Sequence, residues 1–139
     1  EKMVEYANSM KVENNISNVE FIQGNAAKIS EFTNERFDYA VFSLSLHEMK
    51  SETRQKVLGE VRKVSDRIII FDYEVKISPS VQGRINSFNE FLAGKSHYQN
   101  YRSFQKENGI YGLLEKNEFK VEKTFIHKNN YALVKAKCK

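Results

Sequence analysis

An α/β fold is what the sequence predicts, and two features carry that prediction. A near-continuous apolar run, "FDYAVFSLSL", is followed by an amphipathic stretch, "SETRQKVLGEVRKV", and then by a second apolar run, "DRIIIFDYEV". Strand, helix and strand at these lengths are the signature of a right-handed βαβ crossover. The C-terminal "FKVEKTFIHKNNYALVKAKCK" reads as two strands about a turn near Asn129 and Asn130, an antiparallel hairpin at the end of the sheet.

The elements follow in order. "EKMVEYANSMK" places Met3, Val4, Ala7 and Met10 at helical spacing with no capping residue ahead of Glu1, so the sequence is expected to start inside or at the edge of a helix. After the polar turn at Asn14 and Asn15, "NVEFIQG" predicts a short strand ending at Gly24, and "NAAKISEFTNER" a loop with one helical turn. The run from Phe37 to Leu46 lacks polar alternation, the pattern of a parallel strand covered on both faces. Ser51 is the expected N-cap of the crossover helix, whose Val57, Leu58, Val61 and Val64 form one apolar stripe. Beyond the single proline, Pro79, an amphipathic helix is predicted from Ser80 to Gly94, carrying Val81, Ile85, Phe88, Phe91 and Leu92. Another helix is expected from Tyr101 to Lys116.

At 139 residues and 40% hydrophobic, the chain supports one core, so residues 1–139 are read as a single domain or part of one. No apolar stretch approaches the roughly 20 residues that span a bilayer, and no secretory signal layout is present, so a cytoplasmic protein with no membrane partner is expected. The lone cysteine, Cys138, excludes an internal disulfide and cysteine metal ligation. His97 and His127 have no histidine or carboxylate at ligand spacing, so no metal is expected. A net charge of +4 raises nucleic acid as a partner. The cations are scattered among acids, however. Only Lys135, Lys137 and Lys139 form a row, which reads as the solvated face of an edge strand, so no nucleic-acid partner is expected.

The segments "EKMVEYAN", "NVEFIQGNA", "FDYAVFSLSLHEM", "VLGEVRKVSDRIIIFDY" and "LLEKNEFKVEKTF", in this order and covering nearly the whole chain, resemble the class I (Rossmann-like) S-adenosylmethionine-dependent methyltransferases, in particular their small-molecule branch. The resemblance implies S-adenosylmethionine as cofactor, a small-molecule methyl acceptor, and a sheet whose strand ends carry the cofactor. The family's first strand ends in a glycine-rich turn and its second in an acidic residue, and neither is present. The fold is therefore expected to be an incomplete, C-terminal two-thirds of the domain, lacking its first two strands. Those strands would lie between "NVEFIQ" and "FDYAVF". Their absence leaves an apolar central edge that invites pairing with a second copy, so a homodimer through that edge is one expectation, and weak cofactor binding by this fragment another.

On that resemblance, Gly24, Asn25 and Ala26 match the turn that contacts adenine, with Asn25 in place of the usual acid; an Asn turn satisfying its own backbone is the alternative. Ser43 and Leu44 match the strand end where cofactor and acceptor meet, or are small residues tolerating a tight strand end. His47 and Glu48 leave the core beside the cleft. His47 is a candidate base for the acceptor's proton, or else a cap or loop-shaping residue, since in-line methyl transfer does not require a base. Asp72, Tyr73 and Glu74 close the next strand as candidate acceptor contacts, and Tyr98 and Tyr101 are candidate lid residues. Phe88, Phe91 and Phe104 are assigned to the core. A rival function is a non-catalytic interaction module whose sheet another subunit completes.

Overall fold

The computed structural model describes residues 2–74, 92, 94–127 and 131–139. The predicted helix from Ser80 to Gly94 and the turn at Asn129 and Asn130 lie essentially outside those residues. Helix α1 spans Lys2–Glu13, and a 3-10 helix spans Ala26–Glu31. Strand β1 (Ala40–Ser43) leads through α2 (Ser51–Val64) to β2 (Arg67–Tyr73). Helices α3 (Lys95–Lys106) and α4 (Gly109–Lys116) then precede β3 (Phe119–His127) and β4 (Tyr131–Cys138).

The sheet among the described residues runs β1-β2-β4-β3. β1 and β2 are parallel, with Val41 opposite Ile69, and the α2 crossover between them is the predicted βαβ unit. β4 is antiparallel to both β2 and β3, and a bulge between Val121 and Lys123 interrupts the hairpin ladder. β4 is therefore an interior strand. Lys135 and Lys137 alternate with buried Val134 and Ala136, so their row is the solvated face of the sheet and not a mark of its edge.

Helices cover one face. Val57, Leu58, Val61 and Val64 of α2 and Ile110, Leu113 and Leu114 of α4 pack with Ile68 and Ile70 of β2 and Ala132, Val134 and Ala136 of β4, all buried. Small alanines on β4 let the helices approach closely, while each buried branched side chain contributes about 1.5–3 kcal/mol. The opposite face is open: Val41 is 66% exposed, and Phe125 and Leu133 are exposed as well. β1 is thus covered on one face and not on both, and it is shorter than its apolar run, because Leu44 adopts φ 47° and turns the chain out of the sheet.

Three other expectations give way to tertiary structure. Ser51 is the first helical residue and not the N-cap; Lys50 holds that position without a side-chain cap. The helix expected over Tyr101 to Lys116 is two helices, broken where Asn108 and Gly109 both take positive φ. This break brings Gly112 so close to the Glu107 carbonyl that a Cβ there would lie 1.8 Å from the oxygen. Finally, residues 18–24 form no strand, since no described strand lies alongside to complete a ladder. Their Val19, Phe21 and Ile22 stay exposed, and α1 buries no residue.

Candidate active site at the strand ends

The carboxyl ends of β1 and β2 lie side by side, and Asp72 joins them. Its carboxylate, fully buried, accepts the backbone N–H groups of Leu46 (3.1 Å), His47 (3.3 Å) and Tyr73 (2.8 Å) and meets His47 Nδ1 at 2.6 Å. Three N–H donors and an imidazole supply what a buried carboxylate loses when it leaves water. The loop after β1 is thereby tied to the end of β2, and the proton between Nδ1 and Asp72 fixes the orientation of the ring.

His47 pairs with Asp72, 25 residues away, while the neighbouring Glu48 is exposed. His47 also does not stand in an open mouth: it is 4% exposed, with Tyr73, Tyr101 and Phe104 edge-on to its ring at centroid distances of 4.7, 6.4 and 6.5 Å. Tyr101, read as a lid residue, is buried core, as is Phe104, while Tyr98 is half-buried against that core. Tyr73 stacks on Tyr131 at 5.0 Å and meets Tyr101 edge-on. Phe88 and Phe91 lie outside the described residues. The positive φ at Leu44 is backbone strain of order 1–3 kcal/mol, held by its N–H bond to Phe71 O at 2.8 Å, and it sits where the chain leaves the sheet for His47.

A second site lies at the turn before the 3-10 helix. Gly24, Asn25 and Ala26 line a cavity of about 520 Å³ with Ile22, Ile29, Phe32 and Phe37 as apolar wall and Glu20 and Glu35 at its polar edge. Asn25 caps the 3-10 helix, its Oδ1 accepting the Ala27 N–H at 3.0 Å, which is the local turn role; the carbonyl's other lone pair is not used by that bond. Gly24 lies under the Phe32 ring, which a Cβ would meet at 3.0 Å. Glu60 of α2 anchors this turn by accepting Ser30 N–H and Oγ–H, and it pairs with Lys63. Those bonds, that to Lys63 foremost, hold the Glu60 carboxyl down at about 2. Ser43 and Leu44 are exposed and do not line this cavity, so the two sets of residues assigned to the cofactor stand apart.

Among the described residues no three His, Cys, Asp or Glu side chains group as metal ligands, and no helix is long and apolar enough to cross a membrane. The sequence pattern of a family described as a methyltransferase domain matches residues 1–128. No curated protein matches the chain. Similar solved structures include the PH0226 protein from Pyrococcus horikoshii OT3 (21% identity, TM-score 0.68, covering 100% of this chain and 68% of that one). A SAM-dependent methyltransferase from Aquifex aeolicus follows at 18% identity and TM-score 0.60, with 98% and 63% covered. The pyocyanin biosynthetic protein PhzM matches at 13% identity and TM-score 0.62, with 97% and 38% covered. The chain thus spans only part of these relatives, from 38% to 68% of their lengths, and its sheet is an incomplete Rossmann-like methyltransferase sheet. A match over residues 1–128 together with this sheet places the chain in the methyltransferase-domain family, whose cofactor is S-adenosylmethionine.

Proposed function

We propose that the protein transfers a methyl group to a small-molecule acceptor bound beside the carboxyl ends of β1 and β2, with His47 receiving the acceptor's proton. The observation that carries this reading is the buried His47–Asp72 pair at the ends of two adjacent parallel strands, where open α/β sheets place their ligands. The turn at Gly24 to Ala26 suits the adenine end of the cofactor: a flat apolar cavity wall and, at Asn25, a carbonyl lone pair for an amino group. The rest of the cofactor has no comparable set of residues in that cavity, so this chain alone is expected to bind it weakly.

S-adenosylmethionine, when bound, supplies an electrophilic methyl carbon. The chain's own residues orient and exchange protons. Asp72 occupies Nδ1 of His47, so proton exchange with an acceptor runs through Nε2. The aromatic rings of Tyr73, Tyr101 and Phe104 keep water from the imidazole, and access for an acceptor requires that cover to open. Glu48, Tyr73 and Tyr98 are the acceptor contacts we assign beside it.

Calorimetric titration with S-adenosylhomocysteine tests the cofactor half. Measurable binding that weakens about two- to tenfold in Asn25→Ala, the worth of one hydrogen bond, supports it; heat-silent titration of a folded chain counts against it. A second reading is favoured by the position of β1 at the edge of the described sheet, with β2 as its one described neighbour: a non-catalytic module whose sheet is completed by another subunit or by a second copy. Sedimentation shows which, since a second copy gives a concentration-dependent dimer.

A further inference from the structure

We propose that Arg54 is a positioning residue that locks the His47 loop and helix α3 to α2, so that the geometry of the imidazole depends on a guanidinium that never touches it. Arg54 lies on α2 and is fully buried. Its Nη1 donates to Met49 O at 2.5 Å, in the loop that carries His47, and to Asn100 O at 3.4 Å. Its Nη2 donates to Ser103 Oγ at 2.9 Å and to Glu107 Oε1 at 3.0 Å, at the far end of α3. The guanidinium also lies over the Phe104 ring, 5.6 Å from its centroid, and Phe104 is one of the rings against His47.

The distribution of these partners is the argument. A buried guanidinium is costly to desolvate and is retained where its donors are satisfied. Among the described residues every acceptor of Arg54 belongs to the His47 loop or to the α3 segment through Glu107, and none to the sheet. A parallel bond, Asn100 Nδ2 to Glu48 O at 2.6 Å, joins the same two partners directly. Burial disfavours ionised Glu107, but the neighbouring Ser51 and Ser103 hydroxyls and the Arg54 charge outweigh it and hold its carboxyl below the ordinary value. The link is also incomplete. Arg54 Nε is buried without a hydrogen-bond partner among the described residues, and Glu107 Oε2 faces Lys116 Nζ at 3.6 Å and not the guanidinium, so the Arg54 pair is engaged by one N–H···O bond where the fork offers two. Such a pair is strong enough to fix α3 over the imidazole, and it can loosen without unfolding the sheet.

This inference rests on the assignment of His47 as the proton acceptor, yet it can be read without any ligand. The test uses the full chain as wild type, Arg54→Met, Arg54→Lys and Glu107→Gln. Amide exchange is followed at Leu46 and His47, whose N–H groups bond Asp72, and at Ile70 and Val134 in the core, with the imidazole ¹⁵N shifts of His47 as a spectroscopic signature. We expect exchange at Leu46 and His47 to rise about tenfold or more in Arg54→Met, and the His47 shifts to move, with Ile70 and Val134 unchanged. Arg54→Lys, which keeps one charged donor, should restore part of the protection. Equal acceleration at all four amides, or unmoved His47 shifts, would overturn the proposal. If Arg54→Met does not fold, Glu107→Gln decides: loop exchange that rises with the core unchanged supports the lock, and wild-type exchange at Leu46 and His47 overturns it. If the lock holds but S-adenosylhomocysteine does not bind, the methyl-transfer reading fails on its own.

Discussion

The two ends of the crossover differ in how completely they are built. Around His47, Asp72 and Arg54, side chains from β1's loop, β2, α2 and α3 meet with nearly every polar atom engaged and the aromatic rings buried. Around Gly24 to Ala26, a cavity stands open, the flanking Phe21 and Ile22 are exposed, and α1 buries nothing. The contrast separates the two halves of the methyl-transfer site we propose. The half assigned to the acceptor derives its order from long-range contacts within this chain, whereas the half assigned to the cofactor has a turn and one wall.

The hardest test of the contrast is Asp72→Ala. Removing the carboxylate strands three backbone donors and the imidazole, and the expected loss is about 3–5 kcal/mol in urea unfolding. Asp72→Asn, which keeps one carbonyl acceptor, should lose less, about 1–3 kcal/mol. A loss below about 1 kcal/mol for Asp72→Ala would mean that the strand-end network is not what orders this region. Matched aromatic deletions give the next comparison. Phe104→Ala empties a fully buried site and should cost about 3–5 kcal/mol. Phe21→Ala removes a ring that is 40% exposed and should stay within about 0.5 kcal/mol. Equal costs would show that the Phe21 region is packed in solution, by a second copy or another partner.

How far the sequence reveals each side follows from the range of the interactions. The α2 stripe is readable because burial on one face imposes a period of 3.6, and all four residues of the stripe are buried. β2 is readable as an apolar run for the same local reason. The His47–Asp72 pair is not, because the residues are 25 apart and only the parallel register of β1 and β2 brings them together. Arg54 reads as one more cation on a solvated helix face, and nothing local marks it as buried. The N-cap role expected of Ser51 is lost by a shift of one position, since the helix begins at Ser51 itself and Lys50 stands ahead of it. The break between α3 and α4 did carry a local signal: Asn108-Gly109 is a dipeptide that accepts positive φ at both positions. The strand expected over residues 18–24 has the right composition, but a strand exists only where a neighbour completes its ladder.

The smallest expected effect lies at a polar attachment of the open side. Glu60 joins the 3-10 helix to α2 through Ser30 and pairs with Lys63, and its carboxyl titrates at about 2 in the folded chain against an ordinary 4.5. The folded state therefore prefers the ionised form, so the stabilisation from Glu60 is full above pH 4.5 and is lost as pH falls through about 2. Glu60→Gln keeps an acceptor for Ser30 but has nothing to titrate. Its urea stability should fall less steeply than that of the wild type between pH 4.5 and about 2. Because Glu60 borders solvent, added salt should shrink the difference by screening the Lys63 pair. Identical acid slopes in the two proteins would mean that the 3-10 helix already leaves α2 in solution. The open side would then lack even this anchor, and the turn we assign to adenine would form only when cofactor or a completing strand arrives.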